Sequence, residues 1–209
     1  MIILIVTVIG LFSFKYTDGV SLTAYSVEIW DTIFSGNFRN MQEFFLENVR
    51  NAPHGGVGIN GASFLAFLPW AIWNFPLWLT HTFGENTNVL SAPCLCWSKL
   101  FLIFCVILVG MQCYHIVYEM TKDEKRAKLA AIFLWGSGTM FISVGYSMQD
   151  EIVYIMAFLI ALRYAIIDHK LKCCVWLIVT VTLSPFMLLP TVLILLFLFK
   201  NPLKIIGIT

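Results

Sequence analysis

Two adjacent carboxylates, Asp150 and Glu151, are the residues of this chain with the clearest capacity for chemistry. They follow Gln149 and lie between two long apolar runs. A charge within a bilayer costs several kcal/mol, so ionisable residues in such sequences usually lie at the membrane surface or serve a function. The structural alternative is that Asp150 and Glu151 are the N-cap and first-turn acids of the next helix, where the helix dipole favours negative charge.

A second group of carboxylates, Asp18, Glu28 and Asp31, lies near the start of the chain. If these acids met the first pair, they could supply a general base and either hold a divalent metal or orient a hydroxyl group. Asp18 also fits a turn or helix cap, because Asp before Gly19 is a turn signal. For Glu28 and Asp31 we favour the solvated face of a helix lying on the membrane surface.

Two cationic or titratable residues are candidate substrate ligands. His54 lies in a glycine-rich loop and could contact phosphate or sugar, although a lone histidine is more often an ordinary interface residue. Lys99 follows Trp97 and could meet an anionic headgroup or a lipid phosphate. With Gln149 and Glu151, these residues form the predicted substrate-binding set, and Asp18, Asp31 and Asp150 the predicted catalytic set.

The composition identifies the environment of these residues. Hydrophobic residues make up 59% of the 209 positions and charged residues 12%, and the mean hydropathy is +0.84. Soluble domains average about 25% charged residues. We therefore predict a multi-pass protein of the cell membrane, with membrane lipid as a partner. A net charge of +1 without a basic cluster argues against nucleic acid as a partner.

The apolar runs predict an all-α, polytopic transmembrane helical bundle within a single membrane domain. Residues 1–16 are the predicted first crossing, and residues 17–96 a long external loop carrying interfacial helices. Residues 64–83 are apolar but rich in Trp and Pro, so we place them in the interface. Residues 97–199 supply the further crossings, in the runs 100–118, 129–146, 152–167 and 173–199.

Charge orients these crossings. Residues 121–128 and 168–172 are rich in Lys and are predicted to be cytoplasmic, which places residues 149–151 outside, on the side of Asp18. The last run begins inside, yet the lysines after it also favour the cytoplasm. Because Pro185 and Pro190 interrupt it, we predict two short half-crossings.

This layout resembles the N-terminal half of the GT-C type membrane glycosyltransferases of the cell envelope. The resemblance rests on a short first crossing, a long external loop with an early acid, a basic cytoplasmic turn, a crossing that ends in a Tyr/Ser-rich Gln-x-Asp-like motif, and a broken pair of helices that contains Pro. It implies a polyprenyl-phosphate-linked sugar donor, with Asp18, or Asp31 in its place, as the first-loop acid and Gln149-Asp150 as the second motif. Members of that family are longer, so we expect this chain to be the N-terminal part of a longer protein. The rival interpretations are a non-enzymatic transporter or accessory subunit, and an inactive fragment.

Overall fold

The computed structural model describes residues 17–36, 43, 47, 64–83, 88, 91–140, 144 and 148–198. Every regular element among them is helical, which confirms the all-α prediction. The helices are α1 (Thr17–Phe34), α2 (Phe64–Phe83), α3 (Ala92–Thr121), α4 (Glu124–Trp135), α5 (Glu151–Ile166), α6 (Lys170–Leu183) and α7 (Leu188–Leu198). A helical turn at Gly138–Met140 and a 3₁₀ turn at Pro185–Met187 complete the set. The predicted first crossing, residues 1–16, lies outside the described residues.

The chain divides into two compact units. The first contains the described residues up to Phe104, together with residues 144, 148 and 149. The second contains residues 105–140 and the described residues from Asp150 onwards. Helix α3 contributes its first thirteen positions to one unit and the remainder to the other.

In the first unit, α1 and α2 pack side by side in a parallel orientation. The rings of Tyr25 and Phe67 meet edge to face at 5.7 Å, and further along both helices the Trp78 Nε1 donates to Asp31 Oδ1 at 2.7 Å. Helix α2 is continuous through Pro69 and Pro76, and its bounds are those of the apolar run in the sequence. Its predicted position in the membrane interface stays a prediction.

Two tryptophans join α2 to the start of α3. The Trp73 Nε1 donates to the Trp97 carbonyl at 2.9 Å, and the Trp97 Nε1 donates to the Trp73 carbonyl at 3.2 Å. The two rings stack with their centroids 5.2 Å apart. This reciprocal pair satisfies both indole N–H groups within protein, whereas interfacial Trp side chains usually leave theirs to headgroups and water.

In the second unit, α4 folds back on α3. Asp123 caps α4 by accepting hydrogen bonds from the backbone N–H groups of Lys125 and Arg126. At the other end, the Trp135 Nε1 donates to the Val106 carbonyl at 3.0 Å. The same indole lies so close to Gly110 that an added Cβ there would stand 2.0 Å from Nε1. Glycine at position 110 therefore leaves room for the Trp135 indole against α3.

Helices α5 and α6 form an antiparallel pair with a core of small and branched residues. Ala161, Ala165, Cys173, Leu177 and Ile194 are buried together, so α7 also contributes to this core. Ile194 can reach Cys173 and Leu177 only if the chain reverses after α6. The break falls at Ser184 and Pro185, within the run where the sequence predicts two half-crossings.

One helix in the described part of the chain, α3, is both long enough and apolar enough to cross a membrane. Its 30 residues extend about 45 Å, more than the hydrocarbon thickness of about 30 Å. The predicted continuous crossing at 129–146 differs from the structure, where α4 ends at Trp135 with Gly136 as its C-cap. Helices α5, α6 and α7 are shorter than a standard span, so the multi-pass bundle stays a prediction.

Candidate functional site

The candidate site lies at the N-terminal end of α5, where Asp150 and Glu151 begin the helix. Asp150 occupies the N-cap position, and its carbonyl accepts from the Val153 N–H at 2.9 Å, but its side chain makes no capping hydrogen bond. The structural alternative is confirmed in position, because Asp150 is the N-cap residue and Glu151 lies in the first turn of α5. Gln149, directly before it, is exposed.

Glu151 carries a polar atom that its surroundings leave unsatisfied. Its Oε2 is inaccessible to solvent and has no hydrogen-bond partner among the described residues. A buried carboxylate oxygen without a donor is unfavourable, because the water it loses is not replaced. A carboxylate accepts hydrogen bonds and cannot donate them, so the group that would satisfy Oε2 is a donor.

Two hydroxyl groups complete the acid end of α5, which we define as Asp150, Glu151, Tyr154 and Ser184. The Tyr154 side chain is hydrogen-bonded to Ser184, and both carboxylates lie within electrostatic range of the Tyr154 hydroxyl. Ser184 is buried at the break between α6 and the turn at Pro185. The sequence prediction missed Tyr154 and Ser184, although Tyr154 lies one helical turn after Asp150 and Ser184 directly precedes a proline.

The described basic residues of the second unit lie away from the acid end. Arg163 is three turns further along α5 and lies within electrostatic range of His115 and Glu119 on α3. Lys170 and Lys172 begin α6, beside the C-terminal end of α5. The 16 residues of α5 separate these two ends by about 24 Å. The second unit is thus acidic at one end and basic at the other.

The first unit holds its own pair of acids on α1. Asp31 accepts from Trp78, as described above, and both Glu28 and Asp31 are partly buried, so they do not form the fully solvated face that the sequence favoured. Burial raises the pKa of Glu28, the neighbouring charge of Asp31 raises it further, and His81 at the end of α2 opposes the rise.

Asp18 lies in the first helical turn of α1. As the structural role of this residue, the sequence predicts a turn or a helix cap. The next residue, Gly19, is covered by Met148, since an added Cβ would meet the Met148 Sδ at 2.1 Å. Gly19 and Met148 are thus in contact within the first unit. Asp18 directly precedes Gly19 in the sequence, and Gln149 directly follows Met148.

Lys99 lies inside the first unit, with 3% of its surface exposed. Beside it, Ser98 accepts a hydrogen bond from the Asn74 Nδ2 at 2.7 Å, and the same amide nitrogen donates to Ser26 at 2.7 Å. This polar layer joins α1, α2 and α3. Lys99 therefore belongs to the interior of the unit, whereas the sequence placed it at a headgroup.

The predicted ligand His54 lies outside the described residues. No group of three or more His, Cys, Asp or Glu side chains suited to a metal ion occurs within the described part of the chain. The acid end of α5 offers two carboxylates, which alone do not complete the usual protein ligand set of a tightly held Ca²⁺ ion.

Comparison of the chain with family models, curated proteins and solved structures finds no match in any of the three.

Proposed function

We propose that this chain is a multi-pass membrane protein related in mechanism to the GT-C glycosyltransferases. In this proposal it transfers a sugar from a polyprenyl-phosphate donor to a hydroxyl acceptor at the external membrane face. The observation that carries the proposal is the acid end of α5, where the unsatisfied Glu151 Oε2 lies beside Asp150 and the Tyr154 hydroxyl. A hydroxyl group of an acceptor is the hydrogen-bond donor that this oxygen lacks.

The transfer balances without a co-reactant. The acceptor oxygen forms a bond to the anomeric carbon of the sugar, the bond from that carbon to the phosphate oxygen breaks, and the lipid phosphate leaves. A carboxylate takes the proton of the acceptor hydroxyl, as general bases do. Within the second unit, Asp150 with Glu151 would orient the acceptor hydroxyl, and the resemblance implies Asp18, or Asp31 in its place, as the base.

The charge distribution of the second unit supports the proposed orientation. Its basic end would face the cytoplasm, where short Lys-rich loops remain, and the acid end would face outwards. Apolar side chains are exposed along the helices between the two ends, including Ile178 and Leu193. In a membrane these side chains would face lipid.

The test is sugar transfer in membranes that contain the chain and a radiolabelled polyprenyl-phosphate sugar. We expect Asp150→Asn and Asp18→Asn each to reduce transfer by at least about tenfold, the usual minimum for loss of a positioned acid or base. Glu47→Gln, at an exposed position, is the matched control and should retain activity. Full activity in both aspartate variants would reject the assignment.

One observation favours a non-enzymatic alternative. The helix break at Ser184 lies against the acid end of α5, and broken helices beside an acid are typical of transport pathways. A transporter predicts solute flux in reconstituted vesicles that Asp150→Asn abolishes, with no sugar transfer by the parent chain. A transferase predicts the opposite pair of results.

A further inference from the structure

Helices α6 and α7 form a hairpin, which we call the α6–α7 hairpin (residues 170–198). Its two arms are joined by the turn at Pro185–Met187. Ile194 on the second arm is buried with Cys173 and Leu177 on the first, so the second arm returns towards the position where the first began. The Tyr154 hydrogen bond to Ser184 attaches the tip of the hairpin to α5.

The outer face of the hairpin is apolar and exposed from base to tip. Phe186 at the tip is 91% exposed, and Phe197 near the end of the second arm is 80% exposed. The exposed residues that define this face are Leu171, Val175, Ile178, Phe186, Leu189 and Phe197. Leaving so many large apolar side chains in water is unusual for a soluble surface, so this face requires an apolar partner.

Charge and length indicate which partner that is. Lys170 and Lys172 lie at the base of the first arm, and the sequence places Lys200 and Lys204 directly after the second. The arms contain 14 and 11 residues, which correspond to about 21 Å and 16 Å, shorter than the hydrocarbon thickness of about 30 Å. Lys170 and Lys172 at the base of the first arm, with exposed apolar side chains from there to the tip, complement a lipid leaflet, which has anionic headgroups and acyl chains.

We propose that the α6–α7 hairpin inserts into the bilayer from one side and returns to that side, with its exposed face in contact with lipid acyl chains. The proposal rests on the membrane assignment within the proposed function but not on sugar transfer. It brings the base of the hairpin to the headgroups on one side, and it leaves the tip, where Ser184 meets Tyr154, within the bilayer one helical turn short of Asp150.

The first experiment detects lipid contact. The full chain is reconstituted into vesicles of phosphatidylcholine and phosphatidylglycerol, with the photoreactive residue p-benzoylphenylalanine replacing Phe186 or Phe197. The control carries it at Met120, which is exposed in the last turn of α3 beside Lys122. We expect lipid adducts by mass spectrometry at both hairpin positions, several-fold above the control. Adducts between two protein chains in place of lipid adducts would overturn the proposal.

The second experiment determines which side each end of the hairpin occupies. In a parent that keeps the fully buried Cys105 and Cys173 and replaces the other four cysteines by alanine, single cysteines are introduced as Lys172→Cys, Lys200→Cys or Gln149→Cys. A membrane-impermeant maleimide should label positions 172 and 200 from one side and position 149 from the other. Labelling of positions 172 and 200 from opposite sides would overturn the hairpin.

The outcomes separate the two proposals. A chain that fails to float with the vesicles contradicts the membrane assignment and the hairpin together. A chain that floats and passes both tests but transfers no sugar contradicts only the enzymatic part of the proposed function.

Discussion

The Glu28 carboxyl links burial to a pH dependence of stability. Its pKa is raised above the ordinary value of 4.5, first by burial and then by Asp31. The folded chain therefore binds this proton more tightly than the unfolded chain, and the stability associated with it is lost as pH rises from 4.5 through the raised pKa. We expect Glu28→Gln to reduce this loss, measured as thermal unfolding in detergent from about pH 4 to about pH 8.

The control for this prediction is Glu47→Gln, an exposed carboxyl that should leave the pH profile unchanged. Asp31→Asn should flatten the profile partially, because it removes the second cause of the raised Glu28 pKa. A profile that is identical in the parent chain and in Glu28→Gln would contradict the assignment.

Asn74 is the central residue of the polar layer in the first unit. It is completely buried and donates to both Ser26 and Ser98. We expect Asn74→Ala to lower the free energy of unfolding by about 1–3 kcal/mol, because it leaves two hydroxyl groups without their partner. Ser98→Ala should cost less, and the double variant should cost less than the sum of the two single losses. If the loss in the double variant equals the sum of the two single losses, the hydrogen bond between Asn74 and Ser98 makes no contribution to stability.

Gly19 and Met148 form a contact that a double-mutant cycle can isolate. An alanine methyl group at position 19 would overlap the Met148 side chain, including its Cβ at 2.9 Å. We expect Gly19→Ala to destabilise the chain by about 1–3 kcal/mol, as overpacking does. Met148→Ala in the same chain should recover part of that loss, because it removes the Sδ and Cε atoms but keeps the Cβ. An equal effect of Gly19→Ala with either residue at position 148 would refute the contact.

At the scale of elements, α5 packs on α6 through small residues. Ala157, Ala161 and Ala165 recur every four positions on one face of α5 and are buried. We expect Ala161→Leu to lower the thermal unfolding midpoint, at a cost of about 1–3 kcal/mol, because the added side chain has no space. Ala92→Leu, the same change at an exposed position of α3, is the control. Equal midpoints for the two variants would contradict close packing.

The sequence predicted some of these elements better than others. The bounds of α2 follow from its apolar run, and the break after α6 was anticipated from Pro185. The run at 129–146 misled because its composition remains apolar past Gly136, where capping ends α4. Hydropathy reports composition and does not detect a cap.

The candidate site was predicted in part for a related reason. Asp150 and Glu151 are adjacent in sequence, so their pairing needed no fold. Ser184 comes to Tyr154 only because α6 runs back along α5, and the burial of Lys99 results from tertiary packing. The neighbouring residues in the sequence do not show that Tyr154 meets Ser184 or that Lys99 is buried.

At the scale of the whole molecule, the lysine-rich segment between α3 and α4 should determine orientation in the membrane. Replacing Lys122, Lys125, Arg126 and Lys128 by glutamine should produce molecules of mixed orientation, because cytoplasmic lysine and arginine set topology. The measurement is maleimide labelling of Gln149→Cys from each side. Neutralising Asp123 and Glu124 instead should leave the orientation unchanged, since acids contribute little to this rule. An unchanged orientation in the lysine variant would contradict the prediction.

The contact of Trp135 with Gly110 has a consequence for biosynthesis. Helix α4 has twelve residues, about 18 Å, and begins with Glu124, Lys125 and Arg126, so it is poorly suited to leave the translocation machinery for lipid by itself. Helix α3 is synthesised just before α4 and is strongly apolar, so it could accompany α4 into lipid. If the chain crosses a membrane as proposed, the Trp135 indole would hold α4 to α3 while both enter the bilayer, and a bulky residue at position 110 would displace that indole.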